Sequence, residues 1–580
     1  MNSVLLLFTA GGSALVLYFF ATLLRVGRRS KDLPPGPPTV PILGNLHLVG
    51  TPLDLMELEL LSFFRYQKRG LICNIRNGQK NMGMSLSTFF KQALAELMER
   101  PIYSLILGTK TYIILSTPTA VKDLLDKKSS IYSSRPDIYL GQDVVSDGQR
   151  FVTMKYGPMW RSVHKMMHNT LNIQTAVAYI PYQDLENKDM MLAFLDEPEG
   201  FRKHVRRYTT SLTTQMVYGF RTTSQHDPRL LKFFENFEEW GKLVTAGSAQ
   251  ILDLYPMLRN LPAFLTPAYQ GALKLGKKEL ELYMLNWMST KNSIKNGTCH
   301  PCFSYDVLKA QKNEGFSDEQ AAYIAGSLLE GGSDTTSGTL VGFIEAMMMF
   351  PEVQRTAQAQ IDRVVGPDRL PTLDDIVNLR YIHACVKETI RWMPTLIIGV
   401  PHSNIQEDEY KGYKIPNGST IVANNWTLNM DPKRNPNPRV FDPTRFENDF
   451  QGEKESATNK DENQRQNWIF GSGRRLCQGM HIAERSLFMG MARMLWAFNF
   501  ERPTDENGVP IPVDIDSFVG GIAVQPEDFE VNIIPRSKEK ADIIRNAWKD
   551  CEETLLDVET KQWLEVPPGM TFNTAETLKV

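Results

Sequence analysis

One decapeptide constrains this chain more than its length does: Phe470-Gly471-Ser472-Gly473-Arg474-Arg475-Leu476-Cys477-Gln478-Gly479. A thiolate that serves as a lasting metal ligand needs shelter from oxidation and hydrogen bonds that temper its charge. Gly473 and Gly479 let the backbone turn tightly and bring N–H groups near the sulfur. Phe470 can pack beside the sulfur and keep water out. Arg475 offers a fixed cation two residues before the ligand, suited to a carboxylate on the edge of a bound group. An ordinary Gly-rich loop around a buried free cysteine has the same composition, and composition alone divides evenly between the two readings.

Two more segments carry chemistry. In Gly331-Gly332-Ser333-Asp334-Thr335-Thr336 the paired glycines weaken a helix, and a Thr hydroxyl can capture the carbonyl one turn back. The segment lies inside a helical pattern from Asp318 to Met349 that Asp318 can cap. A plain helix break, with Ser333 or Asp334 capping a new helix, has half the weight on these residues alone. Glu388 and Arg391 share a helix face; as a surface pair they would contribute about 0–1 kcal/mol.

Together these residues resemble the cytochrome P450 superfamily. The Cys477 segment matches its haem-binding loop, Phe-x-x-Gly-x-Arg-x-Cys-x-Gly, at every specified position. Gly331–Thr336 resembles its oxygen-activating pattern, and Glu388–Arg391 followed by Pro443-Thr444-Arg445-Phe446 resembles its Glu-x-x-Arg and Pro-x-Arg-Phe segments. The resemblance spans roughly residues 30–558. It implies a mainly α fold with small β-sheets, the haem-thiolate fold, preceded by a single N-terminal transmembrane helix. It implies haem b with Cys477 as the axial iron ligand, and Arg475, Phe470, Gly473, Gly479, Trp160, His402 and His164 around the cofactor. Thr335 and Asp334 would convey protons, while Glu388, Arg391 and Arg445 would form a buried network holding the Cys477 loop. The chain departs from the family at His164, which stands where a propionate-binding Arg is usual, so its charge depends on pH and Arg161 or Lys165 would compensate.

The resemblance further implies monooxygenation of an apolar or aromatic small molecule by O2, in fungal members within secondary metabolite biosynthesis. No Gly-x-Gly-x-x-Gly dinucleotide fingerprint is visible, so electrons would come from NADPH through a separate NADPH–cytochrome P450 reductase, with cytochrome b5 as an auxiliary donor. Two alternatives remain: a reductase-independent haem-thiolate isomerase or dehydratase, which tends to lose the acid–alcohol pair, and a non-catalytic haem-binding protein. Substrate contacts by family position fall at Tyr139–Val145, Ile324–Glu330, Leu396–Val400 and Phe518–Ile522, with Tyr139, Ser327 and Glu330 as polar handles.

The formal charge of −2 over 580 residues gives no hint of nucleic-acid binding. Six cysteines in so long a chain make no disulfide framework. Cys299-His300-Pro301-Cys302 is an isolated motif in a polar loop and a weak metal or redox signal. Val4–Leu24 is apolar and long enough to cross a bilayer, and Arg25, Arg28, Arg29 and Lys31 follow it. That order predicts a retained anchor in the endoplasmic reticulum membrane with a cytosolic catalytic body.

The expected organisation is an anchor with its basic stop over 1–30, a Pro-rich hinge over 31–45, a haem-thiolate domain over 46–537, and a C-terminal helix and tail over 538–580. Residues 63–90 read as an irregular insertion or a gene-model artefact. A hairpin is predicted at Ser104–Leu107 and Tyr112–Leu115. Helices are predicted at 201–220, 230–244, 271–294, 318–349 and 353–365. Short strands are expected at 420–426 and within 518–534. Ala541, Ile544, Trp548 and Leu555 form one stripe of a docked terminal helix, and Glu447–Asn467 reads as a surface loop.

Overall fold

The computed structural model describes residues 21–22, 24–46, 100–521 and 523–570. The expected anchor falls outside these residues except at 21, 22 and 24, and the 63–90 stretch falls outside them entirely. Among the described residues no helix is long and apolar enough to cross a membrane. The chain is mainly helical with small sheets and groups into two compact units. The first takes Met1–Leu140, Val244–Tyr269 and Ile398–Leu428; the second takes Gly141–Leu243, Gln270–Ile397 and Asn429–Val580.

In the first unit, β1 (Ile102–Leu107) and β2 (Lys110–Leu115) form the expected hairpin, from Ile102 opposite Leu115 to Leu107 opposite Lys110. Later come β3 (His402–Ser403), β4 (Asp408–Tyr410), β5 (Tyr413–Ile415) and β6 (Thr420–Ala423). β6 pairs with β2 in parallel and with β3 antiparallel, giving the order β1-β2-β6-β3. β4 and β5 make a separate hairpin, which the sequence reading passed over. Its two turn residues, Lys411 and Gly412, both have positive φ, as a tight two-residue hairpin requires. Tyr103, Leu105, Leu107, Ile114, Leu254 and Val422 form a core cluster here.

The Pro-rich segment is tied down along β1. Ser104 donates its N–H to Pro35 O (2.8 Å) and its hydroxyl to Pro34 O (2.6 Å), and Asn45 Nδ2 donates to Pro38 O (2.9 Å). Prolines cannot donate, so their carbonyls are what a strand edge can use. Arg29, read as one of the charges flanking the anchor, turns inward instead. Its guanidinium donates to Ser104 Oγ and Ser104 O, each at 2.8 Å, and burial lowers its pKa to about 10.

The second unit is built chiefly from α1 (Pro158–Leu171), α2 (Ile180–Asp196), α3 (Phe201–Tyr218), α4 (Pro228–Thr245), α5 (Pro267–Asn296), α6 (Ser304–Glu314), α7 (Asp318–Met349), α8 (Pro351–Val364), α9 (Arg380–Trp392), α10 (Glu453–Ala457), α11 (Met480–Ala497) and α12 (Lys538–Leu555). Strands β7 (Phe498–Glu501) and β10 (Asn532–Pro535) pair, as do β8 (Phe518–Gly520) and β9 (Val524–Pro526). α7 is buried over most of its length and packs along α3. Asp318 is not its cap. Ser317 Oγ accepts the Gln320 N–H while Gln320 Oε1 accepts the Ser317 N–H, a capping box that leaves Asp318 to accept from Trp287 and Gln311 and to pair with Lys291.

Two other expectations change. Glu447–Asn467 is no mere surface loop, because it holds α10 and buries Glu453, Arg465 and Asn467. On α12 the buried residues are Lys540, Ile544 and Cys551, with Trp548 packed on the core cluster, whereas Leu555 is exposed. Beyond the helix Leu556 bridges to Trp563, and Trp563 Nε1 donates to Gln215 Oε1 on α3 (2.6 Å).

Candidate active site

Cys477 closes a tight turn. Its N–H donates to Phe470 O (2.8 Å), and the Arg475 N–H donates to Ser472 O (3.2 Å). Gly473 has φ +59° and Gly471 has φ +75°; only the first was singled out from sequence. Gly479 has φ −83°, so it does not use glycine's positive-φ freedom, but its N–H reaches the Cys477 sulfur as expected. It immediately precedes α11, and a Cβ there would come 4.0 Å from Cys477 Sγ. The Gly479 and Met480 N–H groups hydrogen-bond the sulfur and lower its pKa, against burial, the larger effect, which raises it. Cys477 keeps an exposed surface while set among protein atoms, so the sulfur is reachable from one side and sheltered on others.

Arg465, in a stretch whose composition predicts a polar surface loop, pins this turn from behind. It donates from Nε to Asn467 O (2.9 Å), from Nη1 to Ser472 Oγ (3.2 Å), and from Nη2 to Gly471 O. Its guanidinium lies 4.0 Å from the Trp468 ring centre. Asn467 in turn donates to Glu453 Oε2 (2.8 Å). The signal in the sequence was Trp468-Ile469-Phe470, an apolar run directly after Arg465-Gln466-Asn467.

Trp160, His164 and Arg475 come together. Arg475 Cζ lies 4.4 Å from the Trp160 ring centre, and the Trp160 and His164 rings, one turn apart on α1, are 4.5 Å apart. Burial lowers Arg475 to about 9, leaving it cationic at neutral pH. Burial, then His168 and Arg475, pushes His164 down to about 4. His164 is therefore a neutral donor or acceptor at neutral pH, not a pH-dependent substitute for Arg, while Arg161 and Lys165 are exposed. Trp160 Nε1 is buried and has no partner among the described residues. That orphaned donor, the Arg475 cation and a sheltered sulfur fit an iron cofactor with acidic edge groups. His402 lies in the first unit, buried, with Nδ1 2.8 Å from Tyr132 O.

α7 runs unbroken through Gly331-Gly332, which removes the reading of a capped break. Thr335 Oγ1 donates to Gly331 O (2.8 Å), the expected capture one turn back, and Thr209 Oγ1 on α3 donates to Ser333 O (2.8 Å). A Cβ on Gly332 would stand 2.6 Å from Thr213 Oγ1, so the close approach of α3 demands glycine there. Burial raises Asp334 to about 6, opposed by the Arg206 charge and assisted by Glu238. Arg206 pairs with Glu238 at 3.2 Å.

The third motif forms a buried network. Arg391 Nε meets Glu388 Oε2 and Nη2 meets Oε1, each at 2.7 Å, with both side chains fully buried. Arg445 Nε lies 3.4 Å from Glu388 Oε1, which also accepts the Asp442 N–H (2.8 Å). Arg391 further donates to Asn429 O (3.2 Å) and Pro438 O (2.8 Å). The network thus grips the backbone of the 429–442 segment.

Of the polar handles proposed for substrate, Glu330 is committed elsewhere: it accepts from Arg150 and from Tyr283. Ser327 Oγ accepts the Phe151 N–H (3.2 Å), and the Tyr139 N–H donates to Asp253 Oδ1 (2.8 Å). Ile522 lies outside the described residues.

A family model for Cytochrome P450 matches residues 82–533. The chain is 44% identical over 568 residues to the cytochrome P450 monooxygenase virE of Hypocrea virens, covering 98% of this chain and 96% of that one. It is 43% identical to the cytochrome P450 monooxygenase fogE of Aspergillus ruber, over 98% and 99% of the two chains. It is also 43% identical to the cytochrome P450 monooxygenase fsoB of Humicola fuscoatra, over 96% and 97%. With its thiolate loop, acid–alcohol helix and buried Glu–Arg network, the chain belongs to the cytochrome P450 superfamily, as a monooxygenase of fungal type.

Proposed function

We propose that the protein inserts one atom of O2 into an apolar or aromatic small molecule in fungal secondary metabolite biosynthesis. Electrons come from NADPH through a separate NADPH–cytochrome P450 reductase, with cytochrome b5 as auxiliary donor. The catalytic body faces the cytosol, held to the endoplasmic reticulum by the apolar 4–24 segment. When bound, the haem supplies the iron that activates dioxygen.

Cys477 would hold the cofactor's iron, its charge tempered by the Gly479 and Met480 N–H groups. Arg475 and Trp160 Nε1 orient its acidic edge, with His164 as a neutral neighbour. Thr335 presents a hydroxyl, and Asp334, half-protonated near pH 6, can take a proton from solvent and release it inward. That retained pair is the observation carrying the reading, because an isomerase or dehydratase has no use for delivered protons.

The test is co-expression with a fungal reductase in yeast microsomes, then titration of fatty acids, terpenes, phenols and polyketides while following the Soret band. A saturable shift with one class, and NADPH-dependent product from it, is the expected result. Turnover of a hydroperoxide without reductase, and none with NADPH, would replace this reading with the isomerase one.

A further inference from the structure

Cys299 and Cys302 lie just ahead of α6, with their sulfurs 3.8 Å apart. The two differ in surroundings. Cys302 is fully buried, packed in the cluster that also holds Tyr179, Tyr182 and Trp563, whereas Cys299 is only half-buried at its edge. The neighbouring residues tie this segment to other parts of the unit. Trp563 packs in the same core cluster as Cys302, and Tyr305 Oη donates to Cys299 O (3.0 Å). The Phe303 N–H donates to Met216 O (2.9 Å). Two thiol sulfurs in near contact are one bond away from a disulfide, which makes thiol oxidation the chemistry this pair is placed for.

We propose that Cys299 and Cys302 are an oxidative modification site, a dithiol that hydrogen peroxide closes to a disulfide and glutathione reopens. The half-buried Cys299 meets the oxidant. Its thiolate attacks one peroxide oxygen, the O–O bond breaks, and a sulfenic acid and hydroxide result. The Cys302 sulfur then attacks the sulfenic sulfur, the S–S bond forms, and the sulfenic oxygen leaves as water with the Cys302 proton. Two electrons pass from the sulfurs to peroxide. Closing a gap of 3.8 Å within a four-residue segment needs only local rotation, chiefly at the less enclosed Cys299. Such reversible bridges are the usual form of disulfide in a reducing compartment. The bridge would stiffen the segment packed against Trp563, so the C-terminal strap reads the oxidation.

The experiment uses the full-length holoenzyme, treated with graded hydrogen peroxide, alkylated, and analysed by peptide mass spectrometry with hydrogen exchange in parallel. The peptide carrying both residues should lose two hydrogens, regain them with glutathione, and gain exchange protection at 299–305 and 561–564 while bridged. Cys302→Ser should stop at a sulfenic acid on Cys299 that dimedone captures, with an unchanged Soret band showing that it folds. Oxidation of Cys299 straight to sulfinic or sulfonic acid in the unaltered chain overturns the proposal. So does oxidation of Cys385, Cys477 or Cys551 at lower peroxide, or a bridge that leaves exchange at 561–564 unchanged.

Discussion

Two buried clusters in the second unit put carboxylates and arginines together in opposite proportion. At Glu388, two arginines serve one carboxylate, and the surplus guanidinium donors reach the carbonyls of Asn429, Pro436 and Pro438. At Arg150, one guanidinium serves two carboxylates: Glu279 with both oxygens at 2.6 Å, and Glu330, which Tyr283 also approaches. Arg150 Cζ rests 4.0 Å from the Trp240 ring centre. Surplus donors find carbonyls and hold a chain in one place. A surplus carboxylate has no such outlet in a dry site and meets its deficit by keeping a proton. Burial and the Glu330 charge therefore push Glu279 up to about 7 even against Arg150. The first cluster is a clamp, and the second is a clamp that titrates.

The sharpest test of this contrast is Arg391→Ala, which takes from Glu388 its two-point partner, leaving Arg445 at 3.4 Å, and should cost about 3–5 kcal/mol. The purified protein should lack haem and its carbon-monoxide band; an inactive variant with full haem would break the link between clamp and cofactor. Arg150→Met comes next. It leaves two carboxylates face to face, yet Glu279 can take a proton, so the loss should sit near the low end, about 3 kcal/mol in urea unfolding. A smaller, pH-dependent effect is expected at Glu279. The folded state keeps a proton that the unfolded chain releases between its ordinary 4.5 and about 7, so stability falls as pH rises through that window. Glu279→Gln should flatten that fall in Tm between pH 5 and 8, and an unchanged slope would locate the titration elsewhere. The smallest change is Arg445→Lys, which keeps the charge but loses the fork that reaches Pro436 O and Asn437 O. About 1 kcal/mol and full haem are expected.

The same contrast marks how far the sequence could be read. Glu388 and Arg391 stand three apart on one helix, so their pairing follows from helical geometry alone. Arg150, Glu279 and Glu330 are separated by 129 and 180 positions from the arginine, and nothing local announces that they meet. Glu330 consequently looked like a free handle for substrate. The hairpin at Ile102–Leu115 and the bounds of α7 were legible because alternation and helical period are local properties. Ser317 displaced Asp318 as cap because a reciprocal partner, Gln320, lay three residues on, a box that was visible and overlooked. His164 was legible as a departure from the family pattern, but its neutrality depends on burial beside Arg475, contributed by a segment more than 300 residues later. Arg465 was hidden by its company: in a polar run a buried guanidinium looks like any other, until its carbonyl partners in the Cys477 turn are known.

Trp563 carries a consequence in time. Its indole completes Gln215, and Lys561 O and Gln562 complete Arg221, across some 340 positions: 348 for Trp563, 340 for Lys561 and 341 for Gln562. At roughly 5–20 residues per second of synthesis, α3 waits roughly 20–70 seconds for these partners to be made. Through that interval Glu186 and Asp189 alone must neutralise Arg221. The nascent second unit thus waits on residues 561–563 to complete Gln215 on α3 and Arg221 just beyond it.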